Sequence, residues 1–211
     1  MNLKAPSLVV GIAGGSASGK STFTAALLEA LPGLCPGAGV HVMHSDRYFR
    51  VGAPEMPMFV SPSSGKTQPD MNHPDAIDTQ RMLVDLETVA RAEDAPDILI
   101  LEGHLVLCWP EVRERLGLSL FVDLDGETRA LRRLVRNLAH QGDPIIDHSA
   151  QSIATYYLES AKVGYERYIG PSRVHADLIL RGDADFARIA PMVAAVIAPG
   201  AITPDSEMMI A

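Results

Sequence analysis

The stretch Gly14-Gly15-Ser16-Ala17-Ser18-Gly19-Lys20-Ser21 decides how this chain is read. It fits G-x-x-x-x-G-K-[ST], a loop that cradles phosphate. Its flanks agree with it. Leu8-Val9-Val10-Gly11-Ile12-Ala13 runs apolar into the loop, as a buried strand would, and residues 21–31 leave it with helical spacing. In that setting the backbone N–H groups of the loop, and of the helix start with Thr22, converge on one anion. Lys20 adds a full positive charge for the terminal phosphates, and the Ser21 hydroxyl is a ligand for Mg²⁺.

Working outward, residues 40–43, 98–101, 118–122 and 178–180 are further short apolar runs. Between them lie helical patterns. One is capped by Asp78 and carries Met82, Leu83, Leu86, Val89 and Ala90 at helical period; others span residues 127–140, 149–168 and 183–197. The first helix is expected to stop before Pro32-Gly33. Unbroken apolar strands alternating with helices predict an α/β fold with a parallel sheet covered on both faces. Residues 50–75 hold five prolines and few periodic apolar positions, which predicts a long irregular loop of the kind that carries function.

The length of 211 residues, 47% hydrophobic and 21% charged, predicts one domain over residues 1–198, with a frayed tail over 199–211. The net charge of −8 argues against broad nucleic-acid binding. No apolar run is long enough to span a membrane, and the N-terminus does not read as a signal peptide. Cys35 and Cys108 form no C-x-x-C pair, so reduced thiols and a cytoplasmic location are expected. The apolar C-terminal helix, with Ile189, Met192, Val193, Val196 and Ile197, is either core or a homo-oligomer contact.

In open α/β sheets ligands sit beyond the carboxyl ends of the strands. Asp46, Glu102 and Asp123 all follow such ends. Phosphoryl transfer needs the phosphates held, their charge neutralised and the nucleophile oriented. Asp46 is placed to take the proton of a substrate hydroxyl, or else is a turn residue. Glu102 suits Mg²⁺, or else is a plain strand-end carboxylate. Asp123 is as well explained by structure. Arg129, Arg132, Arg133 and Arg136, spaced i, i+3, i+4, i+7, share one side of a helix. They form either a lid that closes on phosphate oxygens or a solvated basic face. His44 and His73 lie near the presumed substrate pocket, and no histidine pair has metal-ligand spacing on one helix.

Five segments together resemble the uridine kinase family of P-loop kinases, which includes phosphoribulokinase-like and nicotinamide riboside kinase-like relatives. They are the loop from Gly11 to Ser21, His44-Ser45-Asp46-Arg47-Tyr48-Phe49, Asn72-His73-Pro74-Asp75-Ala76-Ile77-Asp78, Leu101-Glu102-Gly103, and Asp125-Gly126-Glu127-Thr128-Arg129 with Arg132, Arg133 and Arg136. Pro171, Ala176, Asp177 and Gly182 add a weaker match. The resemblance implies a five-stranded parallel core of the nucleoside monophosphate kinase type in three α/β/α layers, with a short arginine-bearing lid over about residues 126–148. It implies an ATP- and Mg²⁺-dependent kinase acting on a primary hydroxyl of a small molecule such as a nucleoside. Nicotinamide riboside, a sugar or a pantothenate-type acceptor are alternatives, as is a nucleotide switch acting through a partner. Asp46 would be the base, with Lys20, Arg129 and Arg133 as phosphate clamps, Arg132 and Arg136 on the nucleotide, and Ser21 and Glu102 at the metal. Asp46, Tyr48, Asp70, Asn72 and His73 would meet the acceptor. The chain departs from the family in three places. Asn72 replaces the ribose-binding aspartate, with Asp70 nearby. Residues 91–97 pass directly to the next strand where uridine kinases carry a base-reading hairpin. After the arginines, Gln141-Gly142-Asp143-Pro144 replaces a further basic segment.

Overall fold

The computed structural model describes residues 8–139 and 149–198. Strand β1 (Leu8–Ala13) is the middle of a five-stranded sheet that also contains β2 (Val40–His44), β5 (Ile98–Glu102), β6 (Leu118–Asp123) and β7 (Leu178–Arg181). The order is β2-β5-β1-β6-β7, and every neighbouring pair is parallel. The unbroken apolar runs are explained by what alternate residues touch. Val9, Leu99, Leu101 and Phe121 pack on one face with Met82 and Leu86 of α2 (Thr79–Ala90). Val10, Ile12, Ile98, Ile100, Leu120 and Val122 pack on the other. There they meet Phe23, Leu27 and Leu31 of α1 (Lys20–Leu34) and Ala190, Val193, Ala194 and Ile197 of α7 (Phe186–Ile197). A strand buried on both sides has no reason to alternate in polarity. The result is the three-layer α/β/α fold of P-loop kinases.

Helix ends follow local capping. The Asp78 side chain accepts from Arg81 N at 3.1 Å and starts α2. Asp185 accepts from Ala187 N at 3.1 Å, so α7 starts at Phe186 rather than at residue 183. Helix α1 runs to Leu34 and carries Pro32 in its last turn, where a missing N–H interrupts only one late bond. Its expected stop before Pro32 is therefore corrected. Cys35 and Cys108 are both free thiols. The C-terminal helix divides its apolar residues: Val193 and Ile197 are core, while Met192 and Val196 are exposed.

Helix α4 (Gly126–Ala139) follows β6, and a short α3 (Pro110–Arg113) precedes it. After α5 (Ala150–Tyr156), capped by Ser149, the helical run widens into i→i+5 turns at Tyr157–Ala161 and Tyr165–Ile169, on either side of α6 (Lys162–Gly164). Such bulges often mark functional regions. The segment expected to be an irregular loop contains a hairpin, β3 (Met58–Val60) paired antiparallel with β4 (Thr67–Pro69). The part of the proposed lid beyond residue 139, and the tail over 199–211, lie outside the described residues. No described helix is long and apolar enough to cross a membrane.

Candidate active site

A cavity of about 620 Å³ opens at the carboxyl ends of β1, β2 and β5. The loop after β1 forms its floor. Gly14 and Gly19 have φ of 137° and 107°, which glycine adopts freely, and Ala17 holds a left-handed φ of 63° that ordinary residues rarely adopt. A side chain at Gly14 would strike Val122 O. The backbone is thus wound into a tight turn whose residues Ser16, Ala17, Gly19 and Lys20 line the cavity. Lys20 Nζ donates to Gly15 O at 3.0 Å. Burial lowers the Lys20 pKa to about 8; Glu102 and Asp46 oppose that shift, and Arg136 and Arg129 add to it. A phosphate beside Lys20 would restore its charge.

Glu102, at the end of β5, is 5% exposed. Its Oε1 accepts from the Ser21 hydroxyl at 2.6 Å. Its Oε2 is buried with no hydrogen-bond partner, the nearest ionisable group being His44 Nδ1 at 3.9 Å. Register sets this up, because His44 and Glu102 are paired across β2 and β5. No cluster of three His, Cys, Asp or Glu side chains among the described residues could enclose a metal. One hydroxyl and one orphaned carboxylate oxygen do fit Mg²⁺, which keeps waters and phosphate oxygens for most of its shell.

Asp46 follows β2 in a tight turn over Ser45–Tyr48 and reaches the same cavity. Its side chain is 66% exposed. Partial desolvation would raise its pKa. The proximity of His104, with Lys20 and His44 behind, outweighs this and holds it below the usual range. His104 Nδ1 lies 3.7 Å from Asp46 Oδ1, and its Nε2 is 3.0 Å from Met71 O. A carbonyl only accepts, so Nε2 carries a hydrogen and Nδ1 faces the carboxylate. The sequence reading gave His104 no role. Its position directly after Glu102-Gly103 at a strand end was the available signal. Gly182, Asp183 and Phe186 also line the cavity without having been assigned there.

The four arginines divide into two rows. Arg132 and Arg136 line the cavity: Arg132 Nη1 donates to Gly182 O at 3.0 Å, and Arg136 Nη2 to Ser16 Oγ at 3.4 Å. Arg129 and Arg133 face elsewhere. Arg129 is 5% exposed, donates to Leu124 O at 3.0 Å and stacks on Tyr165 at 3.6 Å from the ring centre. A Cβ on Gly15 would sit 2.6 Å from Arg129 Nη1, so the guanidinium lies directly against the loop. Arg133 lies over the Tyr156 ring at 5.3 Å. Asp123 accepts from Arg173 Nη1 at 2.7 Å and from the Tyr165 hydroxyl at 3.4 Å.

The expected acceptor residues spread out. The Tyr48 hydroxyl donates to Asp85 on α2 at 2.9 Å, and burial together with Asp85 pushes its pKa up to about 12. Asn72 is 4% exposed, donates through its side chain to Ser160 Oγ at 2.9 Å, and packs against Gly164 where no Cβ would fit. Asp70 Oδ1 accepts from Asn72 N and from Ser160 Oγ, at 3.1 and 3.2 Å. His73 Nδ1 accepts from Asp75 N at 3.1 Å, and its ring packs edge-on to Tyr168. The β3–β4 hairpin closes over this region. Its Ser61 Oγ and Ser63 N donate to Glu159 at 2.6 and 3.0 Å, and Phe59 meets the Tyr156 ring.

The chain is similar to known kinases in sequence and in fold. The Phosphoribulokinase / Uridine kinase family matches residues 84–185. A uridine kinase from Chlamydia pneumoniae is 29% identical over 198 residues, covering 83% of this chain and 82% of its own. Among solved structures, a candidate fructose transport system kinase from Silicibacter sp. TM1040 superposes with a TM-score of 0.62 at 17% identity, over 85% of this chain and 92% of that one. A possible uridine kinase from Bacillus stearothermophilus gives 0.53 at 16%, over 84% and 90%. The fold and site define a P-loop phosphotransferase. The chain is an ATP-dependent kinase, and over residues 84–185 it is similar to the phosphoribulokinase and uridine kinase family.

Proposed function

We propose that the chain transfers the γ-phosphoryl group of ATP to a primary hydroxyl of a nucleoside or related sugar-bearing alcohol. The observation that carries this reading is the convergence of the phosphate loop, the Ser21–Glu102 pair and Asp46 on one cavity. Backbone N–H groups and Lys20 hold the phosphates, while Arg132 and Arg136 close over them from α4. Ser21 and Glu102 would hold Mg²⁺, which when bound neutralises charge on the β- and γ-phosphates. Asp46 accepts the hydroxyl proton as the new oxygen–phosphorus bond forms and the bond to the β-phosphate breaks, leaving ADP. Its lowered pKa keeps it ionised to act as acceptor.

Incubating the purified chain and MgATP with nucleosides, nicotinamide riboside, pantothenate and sugars tests this reading. A phosphorylated product with stoichiometric ADP is expected. ATP hydrolysis that no small alcohol stimulates would instead favour a nucleotide switch.

A further inference from the structure

Where the row of α4 that does not line the ATP cavity meets α5, two buried polar atoms have no hydrogen-bond partner among the described residues. They are Arg133 Nε and the Tyr156 hydroxyl oxygen. The two side chains are neighbours, with the guanidinium carbon 5.3 Å from the ring centre. Burial lowers the Arg133 pKa while the guanidinium stays charged, and the other groups acting on it are Tyr156, Arg136 and Tyr157, none of them a carboxylate. A guanidinium N–H buried without a hydrogen-bond partner is costly. Buried donors are otherwise nearly always satisfied, so an orphaned pair of this kind asks for a ligand.

The position of the pair says which ligand. Arg129 lies against Gly15 of the phosphate loop. Arg133 is one turn further along the same row, about 6 Å on. Across from it, Tyr156 touches Phe59 of the hairpin. Ser160, one turn beyond Tyr156, bonds both Asp70 and Asn72. The peptide joining those two residues passes through Met71, whose carbonyl holds His104 beside Asp46. The pair therefore stands between the phosphate loop and the acceptor segment, on the row of α4 beside that of Arg132 and Arg136.

We propose that Arg133 and Tyr156 form an anion subsite for the acceptor, gripping a phosphate or carboxylate that the acceptor carries away from its reacting hydroxyl. The inference rests on the kinase reading above and narrows its acceptor class. Both side chains donate: Arg133 through its planar fork and Tyr156 through its hydroxyl.

Matched pairs that differ only in the anion provide the test: uridine against uridine 3′-monophosphate, fructose against fructose 1-phosphate, pantothenol against pantothenate. At least one anionic member is expected to react with kcat/KM tenfold or more above its neutral partner. Which pair responds separates phosphate from carboxylate. Tyr156→Phe should raise KM for that acceptor about tenfold, as loss of a hydrogen bond to a charged group does, with KM for ATP within about twofold. Arg133→Met should raise it further, and Arg133→Lys should recover part of the loss. Preference for the neutral member, or equal losses on both members, overturns the subsite. In a second arm, the MgADP-saturated chain is titrated calorimetrically with inorganic phosphate. Binding that Tyr156→Phe and Arg133→Met weaken supports the subsite, and binding unchanged by both overturns it, as does no binding. If no compound is phosphorylated, the kinase reading fails while the calorimetric arm still decides the anion site.

Discussion

Asp46 is the single carboxylate on which the proposed chemistry turns, and its surroundings are unusually basic. His104 lies 3.7 Å away, and Lys20 and His44 also act on it. Asp46→Asn keeps the shape and removes the proton acceptor. We expect kcat to fall about 10²–10⁴-fold, while binding of a fluorescent ATP analogue is retained. Normal turnover in that variant would remove Asp46 as base. Asp46 and Glu102 were legible because each directly follows an apolar run, where topology puts ligands. His104 was harder to assign: its place just past a strand end is a general signal, and its partners are Asp46 and a carbonyl 33 positions away. Asn72 was misleading for a similar reason. Its motif suggested a substrate ligand, whereas its amide is spent on Ser160, 88 positions on.

Among the elements, the β3–β4 hairpin is the least legible and the most distinctive. Three-residue strands carry too little periodicity to detect, and Pro62, Gly65 and Pro69 read as loop. What orders it is Glu159, 98 positions from Ser61. Hydrogen bonds from Ser61 and Ser63 lower the Glu159 pKa. The clasp therefore contributes fully above the ordinary carboxyl pKa and is lost as pH falls through the lowered one. Glu159→Ala is expected to raise KM for the acceptor and leave KM for ATP unchanged, in steady-state assays varying each substrate. An equal effect on both would show that the hairpin does not serve the acceptor. Helix α4 teaches a related lesson. Its i, i+3, i+4, i+7 spacing correctly grouped four arginines, but a helix of that spacing has breadth. Only packing reveals that Arg132 and Arg136 face the cavity while Arg129 and Arg133 face Tyr165 and Tyr156.

At the scale of the molecule, the contact between α1 and α7 joins stability to the ATP cavity. Phe23 is fully buried and meets Phe186 edge-on at 5.4 Å. Phe186 in turn lines the cavity and packs near Gly19. Phe23→Ala is expected to destabilise the fold by about 3–5 kcal/mol, measured by urea denaturation, and to weaken ATP binding through the loosened wall. A stable variant with normal ATP affinity would show that the two are independent. The architecture itself was the most legible level, because β1, the phosphate loop and α1 are contiguous and their patterns reinforce one another.

The hairpin over residues 58–69 hangs on the rest of the chain by Glu159 and the Phe59–Tyr156 contact, and neither belongs to the ATP cavity. Under the acceptor role proposed for the hairpin, acceptor choice is modular, and a different loop grafted between Tyr48 and Asp70 is expected to exchange one alcohol for another without disturbing the machinery that splits ATP.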